Sequence, residues 1–169
     1  GYIGSFVEYE GLDLLLEACS ILKEKHGDIF RLLLVGDGDT MQLLRRTARF
    51  LQLEDQVVFT GRIPHDDVQR YYSLIDIAPL PRKGLRVCEL VSPLKPFEAM
   101  GAGKVLITSS VQELAEIVQD GVTGMVFEKD NSEDLAAKLE TAILDEELRK
   151  NIGENANKWV VENHSWDVI

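Results

Sequence analysis

Phe30-Arg31-Leu32-Leu33-Leu34-Val35 runs directly into Gly36-Asp37-Gly38-Asp39, and this junction decides the fold class. The four apolar side chains from Leu32 to Val35 leave no polar face, so the run reads as a strand buried on both sides, as in a parallel sheet. A helix from about Thr40 to Leu51 follows, with Leu44, Ala48 and Leu51 inward and Arg45, Arg46 and Arg49 outward as a solvated face. Asp39 is placed to cap that helix. Gly36-x-Gly38 reads as a tight turn rather than a dinucleotide fingerprint. Met41 takes the third glycine position and would hold the helix off strand and pyrophosphate alike. A metal site at Asp37 and Asp39 is weaker than the capping reading, since two carboxylates alone hold a divalent ion poorly.

The same strand-then-helix unit recurs in both directions. Upstream, Gly1-Tyr2-Ile3-Gly4 is a strand and Ser5 to Gly11 a loop at its carboxyl end. Leu12, Leu15, Leu16, Cys19 and Leu22 then mark the buried stripe of a helix that stops at Gly27. Downstream, Val57 to Thr60 and Ile75 to Leu80 are strands, separated by a helix carrying Val68, Tyr71 and Tyr72. A long proline-flanked loop, Pro81 to Ser92, breaks the rhythm. Beyond it come a short helix closed by Gly101 and Gly103, a strand Val105 to Thr108, and a helix introduced by Ser110 and Glu113 at capping-box spacing. A sixth short strand, Gly124 to Phe127, precedes two tail helices marked by Leu135, Leu139 and Ala142 and by Leu148, Ile152 and Ala156. Strands alternating with helices imply right-handed crossovers. The expected fold is α/β: a Rossmann-like, doubly wound parallel sheet of about six strands with helices on both faces. Residues 1–169 fit one domain, and the abrupt start and finish point to a piece of a longer chain.

Acidic residues outnumber basic ones, 29 to 18, for a formal charge of -11. That field repels phosphodiester backbones, so nucleic acid is excluded as a partner. Cys19 and Cys88 are too few for a disulfide scaffold and lack metal-site spacing, which fits a reducing cytoplasm. The histidines, His26, His65 and His164, are scattered, so no zinc centre and no nucleophilic triad is indicated. No apolar run reaches the roughly 18 residues of a membrane span, and no signal peptide is evident.

Ligands of such folds bind at the carboxyl ends of the strands. Arg82, Lys83 and Arg86 concentrate positive charge in the long loop there, which favours an anion. In Val91 to Lys104, Pro96 suits a first helical position, and the free N–H groups of that start suit a phosphate. Lys95 adds a cation beside it, and Glu98 is an acceptor for sugar hydroxyls. The plainer alternative is a capped helix whose Glu98 offsets the dipole, next to an idle charged loop.

Taken together, G-S-F-V-E-Y-E-G-L-D-L-L-L-E-A, L-L-L-V-G-D-G, V-V-F-T-G-R-I-P, D-I-A-P-L-P, S-P-L-K-P-F-E-A-M-G-A-G-K-V-L-I and E-L-A-E-I-V-Q-D-G-V-T-G-M-V-F, with the closing H-S-W-D-V-I, resemble the carboxyl-terminal domain of the group 1 (GT4-type) glycosyltransferases. The resemblance covers nearly the whole chain and implies one half of a GT-B fold. It implies a domain that binds a nucleotide-diphosphate sugar without metal or other cofactor, for hexosyl transfer with retention of configuration. An amino-terminal acceptor domain, absent here, would be needed for activity and could bring peripheral membrane association at the inner face. By the same resemblance Glu98 matches the ribose-binding glutamate of an E-x7-E pattern. The first glutamate of that pattern falls at Leu90, with Glu89 one residue out of step as the candidate beside the donor sugar. Ser5 and Glu10 stand where many relatives carry an arginine and a lysine for the diphosphate, so Arg82, Arg86 and Lys95 are the expected replacements. Leu94 belongs to the same donor-binding segment, and Arg62 and Ile63 to the loop that lines the base. Two rivals remain open: a non-catalytic assembly module with a lost donor site, and a sugar-nucleotide epimerase half-domain.

Overall fold

A computed structural model describes residues 1–89 and 94–164. Leu90, the Val91 to Pro93 lead into the expected Lys95–Glu98 site, and the closing Ser165 to Ile169 lie outside the described residues. The chain alternates β1 (Tyr2–Ile3), α1 (Leu12–His26), β2 (Leu32–Val35), α2 (Met41–Phe50), β3 (Val57–Gly61), α3 (Val68–Ser73), β4 (Ile77–Leu80), α4 (Lys95–Gly101), β5 (Val105–Ser109), α5 (Gln112–Ala115), β6 (Met125–Phe127), α6 (Ser132–Leu144) and α7 (Glu146–His164). This is the α/β alternation expected from periodicity.

All strand pairs are parallel, in two three-stranded halves ordered β1-β2-β3 and β4-β5-β6. β1 is only two residues long, too short for a second ladder. It adjoins β4 where the Gly1 nitrogen donates to Ile77 O at 2.7 Å. Read across both halves, the strand order is therefore 3-2-1-4-5-6, and the order reverses between β1 and β4. In open α/β sheets that reversal point is where the loops part and a ligand crevice forms.

Every residue of β5 is buried, as an internal strand covered on both faces must be. α1 packs against α6 and α2, while α4 packs against α7 and β5. Leu16, Leu34 and Leu106 are fully enclosed, each contributing about 1.5–3 kcal/mol through removal from water. Cys19 is buried among them, and burial pushes its thiol up to about 12.

Three local expectations are corrected. Asp39 does not cap α2: the cap residue is Thr40, with no side-chain bond, and it is Asp37 that turns back to accept from Gly38 N–H. Ser110 does not cap α5, because its hydroxyl accepts Lys129 N–H at 3.0 Å. Pro96 occupies the second position of α4, after Lys95. α4 is also only seven residues long. The amides of Phe97 and Glu98 both turn inward onto Leu94 O, at 3.1 and 3.3 Å, and Pro96 has none to offer. The Phe97 and Glu98 amides are therefore not available to an anion at this end of α4.

Candidate anion site where the β1 and β4 loops meet

The loop after β1 is drawn tight. Gly4 N–H donates to Val35 O, Phe6 N–H to Asp37 O, and a one-turn 3-10 helix, Glu8–Glu10, leads through Gly11 into α1. The loop after β4 is laid against it by Lys83 N–H, which donates to Tyr9 O at 3.0 Å. Gly84 N–H is held by the Asp130 carboxylate, and Lys83 Nζ by Asp13 at 2.7 Å.

This junction buries an acid. Glu10 is 2% exposed, and its Oε1 accepts from Arg82 at 3.1 Å and from Lys95 at 2.9 Å. Arg82 is itself almost fully enclosed, with side-chain exposure of 7%, while Lys95 keeps 22%. Arg82 also lies over the Tyr9 ring and Lys95 over the Tyr2 ring. Glu10 Oε2 is buried and has no hydrogen-bond partner among the described residues. The Tyr2 hydroxyl donates to Ser5 O at 3.0 Å. Its pKa is pushed above the usual range, first by burial and then by the nearby Glu10 carboxylate. Two cations against one anion leave the cluster with one net positive charge in a chain of charge -11.

Glu98 lies one helical turn beyond Lys95, exposed, and its Oε2 faces the hydroxyl of the buried Tyr72 at 3.4 Å. Burial, and then Glu98, push the Tyr72 hydroxyl upward, so the phenol keeps its proton and can steady the carboxylate. Arg86 and Leu94 are exposed on the rim, as is Ser5. On the β3 side Arg62 is exposed and reaches Asp37 only at 4.0 Å, with Ile63 half-buried beside it. The arrangement offers cations, a hydroxyl-accepting carboxylate and an open rim. A cavity of about 310 Å³ lies elsewhere, at the amino ends of β2 and β4 beside Leu32, Ile75 and Asp76, and includes none of these side chains.

The model of the family described as glycosyl transferases group 1 matches residues 1–159. The chain belongs to the group 1 glycosyltransferases. It is 29% identical, over 99% of its length, to an uncharacterized glycosyltransferase of Methanocaldococcus jannaschii, and it spans 41% of that relative. The structure superposes on the C-terminal domain of the group 1 protein LpcC from Francisella tularensis with a TM-score of 0.85 at 22% identity, covering 98% of this chain and 85% of that one. A complex of Anabaena HepE with UDP-glucose gives 0.79 at 23% identity, covering 96% of this chain and 43% of that one. At these identities the likeness is one of fold: the chain is one half of a GT-B architecture.

Glu89, the expected neighbour of the donor sugar, has other partners here. Its Oε1 meets Lys129 Nζ at 2.6 Å, and its Oε2 accepts Gln112 N–H at 2.8 Å, supplying the α5 cap that Ser110 does not. Lys129, and then the Gln112 amide, hold the Glu89 carboxyl below the usual carboxylate range. A depressed folded-state value means that stabilisation is present above the unfolded value and is lost as pH falls through the folded one. Thermal melts of Glu89→Gln and wild type should therefore differ at neutral pH and converge on acidification through and below the usual carboxylate range. Curves that stay equally far apart at all pH values would remove this pair from the loop's support.

Two residues of the site escaped the sequence reading in their roles. Glu10 was visible only as a place where relatives carry lysine, and Tyr72 only as packing. No local signal announces a buried carboxylate whose partners lie 72 and 85 residues away.

Proposed function

We propose that this chain is the donor-binding half of a retaining glycosyltransferase, taking a nucleotide-diphosphate sugar at the β1–β4 junction. The observation that carries the reading is the convergence of Arg82 and Lys95 beside Glu98 at the point where the sheet order reverses. Lys95, the more exposed cation, faces the diphosphate, with Arg86 at the rim and Arg82 held behind. Glu98 accepts the ribose hydroxyls, steadied by Tyr72. Arg62 and Ile63 line the base, and Leu94 and Ser5 close the rim.

As the glycosidic bond breaks, negative charge grows on the departing nucleoside diphosphate. Fixed cations aimed at that charge lower the barrier without a metal. Among the described residues no group of three His, Cys, Asp or Glu side chains is placed to hold a metal ion. The acceptor and the remaining catalytic groups belong, on this reading, to an amino-terminal domain, so residues 1–169 as a single unit bind donor but do not transfer the hexosyl group. No helix among the described residues is long and apolar enough to cross a membrane. A cytoplasmic protein, meeting the inner membrane face through that other domain, is the setting proposed.

Titration of UDP, GDP, ADP and their sugars into the chain, followed by chemical-shift changes, tests the reading. One base is expected to bind, and Lys95→Ala or Glu98→Ala to weaken it about 10- to 100-fold, the loss of a charge-assisted contact of roughly 1.5–3 kcal/mol. Silence across the whole panel removes the proposal. One observation favours the non-catalytic module instead: the Glu89 carboxylate is already taken by Lys129 and Gln112. That module, its donor site lost, predicts no nucleotide binding by this chain and no transfer by a longer protein carrying it.

A further inference from the structure

We propose that Glu10 is an internal stand-in for a phosphate group, holding Lys95 while the site is empty and surrendering it to the diphosphate of the donor. The inference rests on the donor-site reading above and adds to it how the empty site is kept. Both cations crowd one carboxylate oxygen, Oε1, at 3.1 and 2.9 Å, while the buried Oε2 beside it takes no partner among the described residues. A carboxylate built only to lock an arginine is usually met on both oxygens by the two prongs of the guanidinium. Here both cations share Oε1, so Lys95 can leave while the Arg82 contact stays in place.

The two cations also differ in what they can do next. Arg82 is enclosed to 7% and stacked beside Tyr9, so it stays. Lys95, over the Tyr2 ring, retains 22% exposure and so keeps access to solvent. When Lys95 turns to a phosphate, Glu10 keeps Arg82 as counter-charge, so no bare buried carboxylate is left behind. Until then Glu10 cancels one of the two positive charges, so the empty site attracts adventitious anions less and holds its lysine in place. The relatives' pattern, with cations in the β1 loop, would have no such acid. Glu10 thus acts as a positioning and competing residue, not a catalytic one.

The test is a double-mutant cycle read by calorimetric titration of UDP, or of whichever nucleoside diphosphate the panel selects. Glu10→Gln keeps shape and an acceptor oxygen but removes the competing charge. It is expected to tighten binding about three- to tenfold, the effect of freeing Lys95 from one partly screened ion pair before it turns to the phosphate. In a Lys95→Met background the same change should give little gain, because no lysine remains to be released. Binding that weakens or stays unchanged in Glu10→Gln overturns the proposal, as does an equal gain with and without Lys95. If wild type binds no nucleotide, the donor reading and this inference fall together; if it binds and the cycle shows no coupling, only this inference falls. Should Glu10→Gln not fold, the unmutated chain still decides. On UDP addition the Lys95 ammonium nitrogen resonance should move far more than the Arg82 guanidinium, and equal or absent movement refutes the exchange.

Discussion

Glu10→Ala should lower the free energy of unfolding by about 3–5 kcal/mol, the usual consequence of removing one partner of a buried ion pair and leaving the other uncompensated. The magnitude follows from burial: Glu10 and Arg82 are both nearly inaccessible, at 2% and 7% side-chain exposure. Without the carboxylate, the buried guanidinium loses its counter-charge in the seam between the β1 and β4 loops. Lys95→Ala breaks a contact with the same oxygen, yet Lys95 is a fifth exposed and can already reach water. It should cost no more than about 1 kcal/mol. Denaturant melts of the two variants side by side give the comparison. If they fall by equal amounts, Glu10 is not what closes the seam.

That contrast also locates what was legible in the sequence. The runs Leu32–Val35 and Val105–Thr108 and the stripe Leu12, Leu15, Leu16, Cys19, Leu22 specified strands and a helix correctly, because burial of apolar faces is a periodic local signal. The place of the candidate loops was legible for the same reason, since alternation dictates a parallel sheet and gathers them at one edge. Polar partnerships were not. Ser110 and Glu113 had the spacing of a capping box, but the loop bearing Glu89 packs against α5 and fills the cap from 23 residues away. Asp39 had the identity of a cap, but the chain enters α2 through Thr40. In the sequence Arg82 and Lys95 are cations without an evident anion; the fold supplies one of its own in Glu10. A side chain's partner is chosen by which loops a topology brings together, and no local spacing encodes that choice.

Gly11→Ala is expected to cost about 2–6 kcal/mol and to disturb donor binding as well. Gly11 stands at φ 72°, a left-handed conformation that costs a residue with a Cβ about 1–3 kcal/mol. The added atom would also sit 1.9 Å from Pro81 O. That neighbour is backbone, so it cannot rotate aside, and overpacking of this kind adds about 1–3 kcal/mol. Gly27→Ala is the control away from the seam: it too is strained, at φ 70° and ψ -138°, with nothing within 4 Å of the added Cβ, so a change of binding confined to Gly11→Ala points to the contact with Pro81. Gly11 follows Glu10 and Pro81 precedes Arg82, so relief of the clash must move the two ends of the buried ion pair apart. Gly11→Ala, assayed well below its own melting temperature, should therefore bind nucleoside diphosphate differently from wild type, whereas Gly27→Ala should not. If Gly11→Ala is destabilised yet binds as wild type does, the seam can open without disturbing Lys95, and the Glu10–Arg82 pair contributes to the fold rather than to the site.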